Sequence, residues 1–157
     1  MNFPIKPHDI LSLTEDSVAA LAASPGSARR AYVCLIMAAH LAEHVAAAKG
    51  VDPSDYRSEI ELRQPALKLV RDLGNYAKHV HITRYAPEAE RIGSYAPPSF
   101  ADFEDDTDED DWADDAMAEG FYIRDSADQV QPLLTIMRTV IFFWRDELLR
   151  QGLLPQP

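Results

Sequence analysis

The chain has 157 residues, a single cysteine and a formal net charge of −11. That length suits one domain with a real hydrophobic core, and an apolar share of 46% excludes general disorder. A lone cysteine excludes an internal disulfide, and Cys34, inside A-Y-V-C-L-I-M, reads as a small buried hydrophobe in a reducing compartment.

The charge is local. Residues 102–119 hold eleven acids and no Lys or Arg, and the remaining fifteen acids balance fifteen basic residues. The first residues, M-N-F-P-I-K-P-H-D, lack the pattern of a signal peptide. No run reads as the ~18 consecutive apolar residues of a membrane span. Cytoplasm, with no membrane contact, is the expectation.

In chain order, Asp9 to Ala23 reads as a first helix with Ile10, Leu13, Val18 and Leu21 inward, stopped by Ser24-Pro25-Gly26. Ser27 is a good N-cap for a long second helix to Lys49, with Gly50 just past its end. Val33, Ile36, Met37, Leu41 and Val45 mark its expected apolar face. A turn at 52–55 leads to a short helix from about Asp55 to Arg63. Pro65 then opens the central helix, whose polar side is expected to be the functional surface over 65–83.

In that helix Leu69, Val70, Leu73, Tyr76, Ala77 and Val80 gather on one side, with Lys68, Arg71, Asp72, Asn75, Lys78 and His79 on the other. Gly74 costs about 1 kcal/mol against Ala in a helix, so close packing by another backbone is its expected reason. Beyond it, Arg91–Tyr95 and Gly120–Arg124 are expected to pair as a two-stranded ribbon around a mobile acidic loop. The last helix, from about Gln131 to Arg150, is the most apolar element and should cross the core. Together these elements give a mainly α fold, a four- to five-helix bundle with a small two-stranded β-ribbon, over a single domain, 1–157.

Arg71, Asn75 and His79 fall at i, i+4 and i+8, on one stripe of a helix, with Asp72 beside them. A metal-independent ribonuclease needs a group of near-neutral pKa, a cation on the scissile phosphate and polar donors for the backbone. His79, Arg71 and Asn75 are the candidates for those three roles, and Asp72 for orienting the imidazole. Lys68, Lys78 and Arg84 flank the same face as candidate substrate-binding cations. The competing reading is an ordinary solvated helix face.

The segment V-R-D-L-G-N-Y-A-K-H-V, followed by an apolar helix ending F-F-W-R-D-E-L-L, resembles small bacterial helical proteins with a D-x-x-N-x-x-K-H helix. Those are similar in outline to the HEPN group. The resemblance implies an RNA-binding or RNA-cleaving protein of a stress or defence system, acting as a dimer. It spans about 30–150 loosely and the central helix more closely. The HEPN motif sets four to six residues between Arg and His, whereas seven lie between Arg71 and His79.

His40 and His44, in H-L-A-E-H, are spaced to grip a metal from one helical face, with His79 as a candidate third ligand. The simpler reading is a pair of half-buried, hydrogen-bonded histidines. The acidic tract begins like an EF-hand, but Asp111 occupies the glycine position and Met117 the closing glutamate. It reads instead as a solvated loop whose residues 102–115 could engage a basic protein partner through Phe103 and Trp112, or screen Lys68, Arg71, Lys78 and Arg84. No cofactor motif is present. Two functions follow: the HEPN-like RNA protein, and a non-catalytic interaction module.

Overall fold

The computed structural model describes residues 5–78, 89–95, 120–125 and 127–154, with side chains described at 5–75, 120–125 and 127–154. The described residues form five helices: α1 Pro7–Ala22, α2 Ala28–Lys49, α3 Pro53–Arg63, α4 Ala66–Lys78 and α5 Leu133–Arg150. Three strands, β1 Ala89–Tyr95, β2 Gly120–Asp125 and β3 Val130–Pro132, form an antiparallel sheet in the order β1-β2-β3. The protein is thus mainly helical, with the expected ribbon extended by one short strand. Residues 130–132 belong to β3, so the last helix starts at Leu133 and not at Gln131.

The helix ends are set by local chemistry. Ser27 Oγ accepts from the Arg30 N–H, and Gly50 takes φ 68° after α2, a conformation costly for residues with a Cβ. Asp52 caps α3 by accepting from the Ser54 and Asp55 amides at 2.8 and 3.0 Å, and Pro53 occupies the first turn.

α2 is the hub, packed mainly on α1 and α4 and also touching α3 and α5. Its buried stripe is Ala31, Cys34, Leu35, Ala38, Leu41, Ala42, Val45 and Ala46. Val33 is exposed, contrary to the expected face, as is Leu13 on α1, where Leu11 is buried instead. The reason is that α2 meets its neighbours through alanines, which let helices approach closely but carry little weight in a hydropathy pattern. By length and composition α2 could cross a membrane, although part of it is buried within the fold.

Gly74 is where α4 presses on α2. A Cβ there would lie 2.9 Å from Ala39 Cβ and 3.2 Å from the Leu35 carbonyl oxygen. α5 closes the core with Leu133, Ile136, Met137, Val140, Trp144 and Leu148, all buried. Cys34 is buried as expected, and burial pushes its thiol up to about 12, so it is inert at neutral pH.

Candidate functional site

Over residues 66–75 the polar side of α4 is buried or half-buried. α2, α3, α5 and β1 all pack on this helix, which leaves little of its circumference to solvent. Asp72 is 0% exposed, correcting the expectation of a solvated position. Arg71 retains 19% side-chain exposure and reaches back to α3, its Nη1 lying 2.8 and 2.9 Å from the two carboxylate oxygens of Glu61. Its Nε stands 3.5 Å from Asp72 Oδ1. The α3–α4 corner therefore brings together one guanidinium and two carboxylates.

Glu61 is itself only 11% exposed. Burial pushes its carboxyl above the ordinary glutamate range, and Arg71 and Arg57 pull it partly back. Beside this cluster is a cleft of about 20 Å³, room for roughly one water, flanked by Arg57, Glu61 and Arg71 over Ala38, Ala42 and Trp144.

Lys68 and Asn75 are half-buried on the same helix. The side chain of Lys78, and His79 and Arg84 entirely, lie outside the described residues, so the Arg71–Asn75–His79 stripe is seen only over its first two members. Those two share a helix side one turn apart, as their spacing predicted. The guanidinium, however, is directed to Glu61.

His40 and His44 are half-buried on α2. His40 Nδ1 lies 3.6 Å from Glu43 Oε2, and Glu43 in turn pairs with Arg57 at 3.1 Å. Among the described residues no three His, Cys, Asp or Glu side chains are grouped to hold a metal ion.

A second polar cluster had no counterpart in the sequence reading. Glu147 on α5 is fully buried, and its carboxylate accepts hydrogen bonds from Tyr56 Oη at 3.1 Å, Arg63 Nη2 at 2.6 Å, Gln151 Nε2 at 3.1 Å and Arg150. Burial alone would raise its pKa; the donors overcome that and hold it at about 2. The Tyr56 hydroxyl is correspondingly pushed above its ordinary value by burial and by the Glu147 charge. Arg63 also lies over the Phe143 ring, 5.3 Å from its centroid. A signal was available: Glu147 stands three residues after Trp144 and seven after Val140, within the apolar phase of α5.

The chain matches no family model, no curated protein and no solved structure. The resemblance of the α4 motif therefore rests on the residues alone.

Proposed function

We propose that this chain is a non-catalytic interaction module, acting in the cytoplasm, whose acidic segment engages a basic protein partner. The observation that carries this reading is the engagement of Arg71 by Glu61 and Asp72. An arginine that serves a scissile phosphate must present its guanidinium to a ligand, and this one neutralises carboxylates of its own fold. Arg57, Arg63, Arg124, Arg145 and Arg150 are likewise ion-paired within the protein. Outside 102–119 the fifteen acids already balance the fifteen basic residues, so the eleven acids of that segment are the chain's net charge, and a partner is the natural source of counter-charge.

The sheet supports the same reading. Tyr95 and Gly120 are register partners at the end of the β1–β2 ladder. The two residues that bound 96–119 in the chain therefore stand side by side on one sheet.

The test is fluorescence anisotropy of a labelled Lys/Arg-rich peptide titrated with the full chain, alongside RNA incubated with the chain in EDTA. The peptide binds, more weakly as salt rises, and changing the acids at 104–106 and 108–111 to Asn or Gln weakens it by at least about tenfold. RNA is not cut. Peptide affinity indifferent to those substitutions overturns the reading. RNA cleavage that disappears in His79→Ala replaces it with the HEPN-like nuclease.

A further inference from the structure

Trp144 is 1% exposed, and its indole Nε1–H finds no acceptor among the described residues. An indole N–H is a donor only, and a buried one ordinarily has a partner. Leaving it unmade costs about 1–3 kcal/mol. Trp144 also lines the small cleft where α5 meets α2, α3 and α4, and across that cleft stand Glu61, Arg57 and Arg71. An orphaned donor and a mostly buried carboxylate thus border the same space.

The size of the space selects the occupant. A cavity must offer about 10–15 Å³ to hold one water, and this one offers about 20 Å³. Its partners select the same molecule. A metal cation is opposed by the indole N–H and two guanidinium groups, which only donate. An anion is opposed by Glu61, while Arg57 and Arg71 are already paired, with Glu43 at 3.1 Å and with Glu61 at 2.8 Å. A water both accepts and donates. Arg71 Nη1 fills only part of the acceptor capacity of the Glu61 carboxylate, so a further donor can be received there.

We propose that this cleft is a built hydration site for one internal water, which accepts from Trp144 Nε1–H and donates to the Glu61 carboxylate. It joins α5 to the α3–α4 corner. Tyr56 and Arg63 already tie α3 to α5 through Glu147, and Trp144 stands three residues before Glu147 on α5. The water makes a second, parallel tie through the neighbouring turn. None of this depends on the acidic segment or its partner.

The experiment is nuclear magnetic resonance of the ¹⁵N-labelled full chain carrying Trp112→Phe, which leaves Trp144 as the source of the single indole signal. A rotating-frame Overhauser cross-peak joins that indole proton to the water resonance, with the sign of dipolar contact and not of chemical exchange. Among the described residues no hydroxyl group lines the cleft to relay it. Ala42→Val fills the cleft and abolishes the cross-peak, with circular dichroism unchanged. A crystal structure of the parent chain, which needs no variant to fold, shows one water at about 2.7–3.2 Å from both Trp144 Nε1 and a Glu61 carboxylate oxygen. No dipolar cross-peak, a cross-peak that survives in folded Ala42→Val, or a cleft without that water in the crystal overturns the proposal.

Discussion

Tyr56 Oη donates to Glu147 Oε1 at 3.1 Å across 91 residues of chain, tying the short helix α3 to the last turn of α5. With Arg63, Arg150 and Gln151 on the same carboxylate, this contact makes one buried anion the junction of two helices that are otherwise far apart in sequence. A buried charge is tolerable only when its hydrogen-bonding capacity is filled, and here four side chains fill it.

Glu147→Ala leaves Arg63 and Tyr56 without their acceptor and is expected to cost about 3–5 kcal/mol. Tyr56→Phe removes one donor of four and should cost about 1 kcal/mol. Urea denaturation of the three proteins checks both values. Equal stability of Glu147→Ala and the parent would show that the cluster holds nothing together.

The same carboxylate sets an acid limit. Its folded pKa, about 2, lies below the ordinary value of 4.5. The stability it contributes is therefore complete above about 4.5 and is lost as pH falls towards 2. The stability gap between the parent and Glu147→Gln should be constant at neutral pH and narrow below pH 4.5. A gap that widens on acidification contradicts the assignment.

Gly74→Ala sets helix propensity against space. Alanine gains about 1 kcal/mol within a helix. The added methyl, however, would stand 2.9 Å from Ala39 Cβ, and neither that atom nor the Leu35 carbonyl is the end of a flexible side chain. The helices must part, and a net loss of about 1–3 kcal/mol is expected in thermal or urea unfolding. Ala39→Gly in the same chain should recover part of it.

Arg71→Ala should act on the fold. It strips the cation from Glu61, which is mostly buried, and from Asp72, which is wholly so, at an expected cost of about 3 kcal/mol. Melting temperature falls, and affinity for the basic peptide stays where it was. Loss of peptide or RNA binding in a variant with unchanged melting would mean the guanidinium serves a ligand.

Much of the architecture was legible in the residues. Ser27, Gly50, Gly152 and the prolines mark helix ends through interactions within a few residues, and the alternating segments around 91–95 and 120–124 form the ribbon as read. The reason Gly74 is a glycine was also legible, because a costly residue in a helix implies a close neighbour. The buried stripe of α2 was not, since alanines bring helices together without standing out among Val, Ile and Leu. The third strand was missed because three residues carry too little periodicity.

By itself, then, the order of residues determined the mainly helical class, the helix ends and the concentration of acid in one segment, since each depends on near neighbours or simple counting. Tertiary structure decided which polar groups are occupied. Arg71 is a candidate phosphate cation by residue type, and the α3–α4 corner sets Glu61 against it, ten residues back. Glu147, which stands out in no motif, is a buried anion because Tyr56 and Arg63 close over it. Such pairings are set by how helices cross, because a charge buried by that crossing must find its counter-charge there.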